Sequence, residues 1–444
     1  RRSSDLNLTA ELQLAAAEAA CETRRRWLTS SASGVGSAAL ATLLKHDGLL
    51  AQDAAAGPSA VPAVLLHFAP RAKNCIFLFQ AGAPSHLDLF DPKPRLAELD
   101  GQPLPEEIVR KVRFAFIQKE SAVLLGSPRR WQKAGQCGMD FSDYLPQLAT
   151  CADEILMVRS MFSEQFNHHP GQLLLSCGRA SFGLPTIGSW LNYGLGSESQ
   201  NLPGYVVLTS GRGSSGGTSL WSSGFLPSHY AGVLFRNQGD PVLNLSNPNG
   251  ISAAAHRRTL DTLQRLNQSR AAEMQDPEID SRIRNYELAF RMQSAAPELM
   301  DLSGESRATL DAYGVERAQH PQATGRGNVA EAHRTYARNC LLARRLVERG
   351  TRFVQLMHAG WDQHNSLTTE LYNQCRDTDQ PSAALVRDLE QRAWNADQPE
   401  FLGERFRALQ LRVMRYARLG YGITDSIIRD HIDRKHRAIP FILK

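Results

Sequence analysis

The chain has no unbroken apolar stretch of about 20 residues, the length that a membrane-spanning helix needs. Its seven cysteines, at 21, 75, 137, 151, 177, 340 and 375, are an odd number, widely spaced, and none stands in a C-x-x-C pair. That pattern excludes a zinc knuckle and a dense disulfide framework. Cys75 and Cys340 lie within apolar runs and read as small buried hydrophobes. Basic excess is missing where nucleic acid would need it. The formal charge is +5, but residues 401–444 hold ten Lys and Arg against four Asp and Glu. Residues 1–400 therefore carry a net −1, and the main body offers no footprint for a phosphate backbone.

Two signatures are present in letters only. Gly211-Arg-Gly-Ser-Ser-Gly216 spells a dinucleotide fingerprint after a strand-like run. Gly217 to Trp221 does not open a clear helix, however, and no clean βαβ unit follows. Gly213 to Gly217 spells G-x-S-x-G around Ser215. A nucleophile elbow needs its serine directly between strand and helix, whereas this Gly/Ser run reads as a flexible loop. Its backbone amides could still contact an anion.

What remains is an ordinary globular composition, 42% hydrophobic and 21% charged over 444 residues, enough for one large domain or two smaller ones. The N-terminal part reads as an address. Thr23-Arg-Arg-Arg-Trp-Leu-Thr29 resembles a twin-arginine export signal, followed by a mildly apolar stretch of small residues from Ser30 to Leu44. Ala39-Leu40-Ala41 and Ala54-Ala55-Ala56 are candidate cleavage sites. We therefore expect a signal region over 1–53, a linker rich in Ala, Pro and Gly over 54–70, and export to a periplasmic or extracellular location without a stable membrane span.

From residue 71 the pattern is α/β. Cys75 to Phe79, Ile155 to Val158, Tyr205 to Leu208 and Phe353 to Met357 are short apolar runs of the kind found in buried parallel strands. A helix over Ala332 to Arg349 is expected to stop at Gly350. Another begins at Asp276-Pro277. Asp379 and Pro381 look like the cap and first turn of a third. The expected architecture is an open, mostly parallel sheet with helices on both faces, over 71–394, with a mainly helical insertion over 251–335. Ligands in such sheets bind beyond the carboxyl ends of the strands.

Three of the expected strands are followed by residues of metal-ligand type. His86 and Asp88 follow the first. Asn167, His168 and His169 follow the second. His358, Asp362 and His364 follow the last. A mixed His/Asp set suits zinc, or manganese and iron where more oxygen ligands join. A metal there would polarise an ester oxygen and supply hydroxide near neutral pH.

At these residues the sequence resembles a bacterial family called domain of unknown function 1501. The stretches that carry the resemblance are "FLFQAGAPSHLDLFDPKP" (77–94), "FNHHPGQLLLSCG" (166–178), "PTIGSWLNYGLGSESQNLPGYVVL" (185–208), "DPEIDSRIRNYELAFRMQSAAPELMDLS" (276–303) and "RFVQLMHAGWDQHNSL" (352–367). The resemblance implies an alkaline-phosphatase-like, sulfatase-like fold with one or two divalent ions (zinc, calcium, magnesium or manganese) on Asp and His at strand ends. It implies Asp88, His168, His358, Asp362 and His364 as metal ligands, with His86, Asn167 and His169 as supporting or substrate-contacting residues. It names no nucleophile. The implied activity is hydrolysis of a sulfate or phosphate ester, small or on a polysaccharide; the alternative is an exported, non-catalytic binding protein on the same scaffold. After Arg392 the family pattern of a further strand and later His-bearing motifs is not followed. Residues 395–444 instead form a basic, atypical segment, so the expectation is an incomplete site and weak activity.

Overall fold

The computed structural model describes residues 72–395, apart from 107–108, 110–121, 164, 166, 212–213, 238, 275 and 319–330. The expected signal region and linker lie outside these residues, as does the basic tail except Asn395, which ends the last helix.

Four parallel strands form the central sheet in the order β1-β6-β4-β5, with β1 at Cys75–Ala81, β4 at Tyr205–Gly211, β5 at Val233–Phe235 and β6 at Phe353–Ala359. A separate antiparallel pair joins β2 (Trp131–Ala134) to β3 (Met139–Ser142). Every residue of β6 is buried, as befits a central strand covered on both faces.

Side-chain alternation sorts the core into two layers. Val206, Leu208, Val354 and Leu356 pack with Tyr336, Cys340 and Leu341 of one long helix, Ala332–Glu348. Tyr205, Val207, Phe353 and Met357 point the other way, to a layer holding Leu173 of the helix His168–Cys177 and Ile187 of the helix Ile187–Leu195. Among the described residues the α-helices are, in chain order, α1 (His86–Leu89), α2 (Pro94–Glu98), α3 (Pro146–Ala149), α4 (His168–Cys177), α5 (Ile187–Leu195), α6 (Ala253–Met274), α7 (Pro277–Met300), α8 (Arg307–Tyr313), α9 (Ala332–Glu348) and α10 (Leu367–Asn395).

The stop at Gly350 is a Schellman motif. Gly350 adopts φ +85°, Thr351 N donates to Leu346 O at 3.1 Å, and Gly350 N donates to Val347 O at 3.1 Å. Asp276 caps α7, accepting from Glu278 N at 3.0 Å.

Three expectations are corrected. Ile155–Val158 joins no sheet: it is an extended stretch after a 3-10 turn at Ala152–Glu154. β6 runs two residues past Met357, to Ala359, and so contains His358. No helix starts at Asp379; α10 passes through Pro381 without a break. Proline removes one N–H from the ladder, which frees the carbonyl four residues earlier. That carbonyl, Asp377 O, lies 2.9 Å from Nδ1 of buried His333. The Asp379 carboxylate turns outward from its own helix and accepts from Gln147 N and Leu148 N, at 2.8 and 2.7 Å, at the start of α3.

Candidate metal centre

β1 and β6 end side by side, Ala81 opposite Ala359. Both chains then turn. Gly360 N and Trp361 N each donate to Ala81 O at 3.3 Å. Gly82, at φ +116°, passes so close that a Cβ there would sit 2.7 Å from Asp362 N. Only glycine fits this crossing. Trp361 is buried, and its indole N–H donates to Gln80 Oε1 at 2.7 Å. Gln80 Nε2 donates in turn to the Tyr336 hydroxyl, which pairs with Ser382 Oγ at 2.9 Å. A largely buried polar chain thus anchors the exit of β6 to α9 and α10.

Past that anchor the chain turns outward. Asp362 Oδ2 lies 2.8 Å from His364 Nε2 and 3.2 Å from Nε2 of His168, the first residue of α4. The three ligand atoms all lie within 4.8 Å of one another. The residues fit a divalent ion: with bonds of about 2.0–2.2 Å, donors around one centre stand roughly 3–3.5 Å apart. Two imidazoles and a carboxylate suit zinc, manganese or iron and leave coordination positions open. The side chains are 42, 45 and 56% exposed for His168, Asp362 and His364, so the cluster is open to solvent.

The other expected residues fall elsewhere. His358 is fully buried, pointing from β6 toward α9 and α10. Its Nδ1 pairs with Ser210 Oγ at 2.9 Å and its Nε2 with Gln374 Oε1 at 2.8 Å, so neither ring nitrogen is free for a metal. Burial holds its pKa down to about 4, despite the opposing hydrogen bond to Gln374. His358 is a neutral imidazole pinning β6 to β4 and α10, and the ligand expectation for it is corrected on that ground. Asp88 is buried on α1, each carboxylate oxygen taken by a serine hydroxyl: Ser85 at 2.6 Å and Ser127 at 2.7 Å. It is not one of the three clustered side chains. His86 stands exposed on α1, and Asn167 is the exposed residue before α4, without a side-chain cap bond. His169 packs edge-on against Phe182 and reaches Ser219 Oγ at 3.5 Å, so it faces the turn after β4.

That turn, Gly217–Trp221, is 3-10 rather than α-helical. Among the described residues, no histidine or carboxylate is hydrogen-bonded to Ser215. The sequence reading missed half-buried Gln80 and buried Ser210, Tyr336 and Gln374, the residues that fix the strand exits. Gln80 directly follows an apolar run and Ser210 stands two residues past one, so both could have been read as strand ends; Tyr336 and Gln374 lie on helix faces whose partners the sequence does not name.

A family model described as "Protein of unknown function (DUF1501)" matches residues 72–397. No curated protein and no solved structure matches the chain.

Proposed function

The chain belongs to the DUF1501 family of proteins of unknown function, and from that membership we propose that it is an exported, metal-dependent hydrolase of sulfate or phosphate esters on an alkaline-phosphatase-like scaffold. The observation that carries the reading is the meeting of His168, Asp362 and His364 beside the carboxyl ends of β1 and β6. In an open parallel sheet this edge is where ligands bind. A divalent ion bound there (zinc, manganese or iron) would polarise an ester oxygen and lower the pKa of bound water.

The chain's own residues supply the rest. Asp362 brings the negative charge that compensates part of a cation's charge. The Trp361–Gln80–Tyr336 chain fixes the loop that presents Asp362, so little ordering cost remains for binding. The cluster's exposure leaves room for an ester on a small molecule or on a polysaccharide. α6, α7 and α8 would be the helical insertion of that scaffold.

The test is hydrolysis of aryl sulfate and aryl phosphate by chelator-stripped protein, before and after each metal is restored. Turnover that appears only with metal and vanishes in Asp362→Ala supports the reading. Metal uptake without turnover on either ester class supports the second reading, a non-catalytic exported binding protein. The openness of the cluster favours that reading, since hydrolytic sites generally exclude bulk water. Export is tested separately: residues 1–70 fused to a reporter should direct it across the membrane, and replacing Arg24, Arg25 and Arg26 by lysine should stop it.

A further inference from the structure

Gln172 and Ser176 are buried on α4, and among the described residues Gln172 Oε1 and Ser176 Oγ have no hydrogen-bond partner. A buried carbonyl oxygen without a donor is costly and calls for an explanation. The position of Gln172 supplies one. It lies one turn after His168, and residues four apart on a helix are neighbours, with Cβ atoms about 5–6 Å apart. Helical side chains lean toward the N-terminus, and His168 lies on that side of Gln172.

His168 carries the complementary vacancy. Its Nε2 lies 3.2 Å from Asp362 Oδ2, the side on which the proton of a neutral imidazole is favoured by the carboxylate. In that tautomer Nδ1 carries no proton and has nothing to give Gln172. An Nε2 that ligates a metal cannot keep its proton. The neutral ring must then be protonated on Nδ1, and Nδ1–H needs an acceptor. The exchange moves one proton from Nε2 to Nδ1 through water, with no net gain or loss.

We propose that Gln172 is a positioning residue for the metal centre: its Oε1 accepts Nδ1–H of His168 when Nε2 turns to the ion, fixing the ring's tautomer and orientation. This rests on the metal reading above. Ligating histidines commonly hand their second N–H to such an acceptor, and losing it costs roughly 10–100-fold in affinity. Gln172 is then unpaired in the metal-free protein because its donor exists only in the loaded one.

The experiment is a calorimetric titration of chelator-stripped full-length protein with zinc alone and with manganese alone, for wild type, Gln172→Met and Gln172→Glu. Thermal unfolding of each metal-free protein accompanies it. Gln172→Met keeps the shape and removes the acceptor. We expect it to hold or raise the metal-free melting temperature while weakening metal binding about 10-fold or more. Gln172→Glu keeps an acceptor and should bind within a few-fold of wild type. A purely structural glutamine would lower the melting temperature and leave affinity alone. Affinity in folded Gln172→Met equal to wild type would overturn the inference while leaving the metal reading intact. Wild-type protein that takes up neither ion would overturn both.

Discussion

Asp362 holds the cluster together through a single oxygen, Oδ2, shared by two imidazoles. Removing it leaves two exposed histidines with no anionic partner. Asp362→Ala should therefore lower zinc affinity by at least about 100-fold, beyond the roughly 10–100-fold expected for loss of a supporting hydrogen bond. It should scarcely alter unfolding of the metal-free protein, because exposed ion pairs contribute only about 0–1 kcal/mol. Zinc titration and urea unfolding of the same variant check both halves. His358 makes the opposite prediction. Its folded pKa of about 4 lies below the usual value of 6.5, so the unfolded chain binds the proton more readily. Its contribution is intact above pH 6.5 and is lost as pH falls toward 4, by roughly 3 kcal/mol in total. Asp379 opposes it: burial raises its pKa to about 6 against the two amides of α3, so its stabilisation is greatest at low pH and is lost as pH rises through 6. The net pH profile mixes the two. The difference between wild type and His358→Gln isolates the histidine, since Asp379 is common to both. Between pH 6.5 and 4.5 the variant should lose about 2 kcal/mol less stability than wild type. Equal slopes would mean that His358 is not held neutral by its burial.

At the level of elements, what the sequence disclosed depends on where each signal resides. β1, β4 and β6 were legible as apolar runs, and the end of α9 was legible to within one residue because Gly350 is local chemistry. α7 announced itself through Asp276 and Pro277. Ile155–Val158 carries the same kind of run as a strand, but a strand also needs a neighbour to bond to, and no local letter records that. Pro381 reads as a helix start for the same reason: the group that accommodates it, His333, is remote in sequence. In the site, Asp362, His364 and His168 were legible as polar residues after apolar runs. His358 was misread because a buried, doubly hydrogen-bonded histidine has the same letter as an exposed ligand. The crossing of the β1 and β6 exits depends on Gly82 in a way that only the structure reveals. Gly82→Ala would place a methyl group 2.7 Å from Asp362 N in a backbone region closed to alanine. It should destabilise the protein by about 1–3 kcal/mol and weaken zinc binding by displacing Asp362. Urea unfolding with a parallel zinc titration measures both; an unchanged affinity in the folded variant would separate the crossing from the site.

For the whole molecule, a ligand that binds only the folded chain stabilises it, by about 2.7 kcal/mol at 100 times its dissociation constant. Saturating divalent metal should raise the melting temperature by several degrees, a chelator should reverse the rise, and Asp362→Ala should show none. The most direct test is positional. Crystals of the protein soaked in zinc, with data collected on both sides of the zinc absorption edge, should show one anomalous peak bonded to His168 Nε2, His364 Nε2 and an Asp362 oxygen at about 2.0–2.2 Å. Ordered His168, Asp362 and His364 side chains with no peak between them, or zinc held by a different set of residues, would contradict the account.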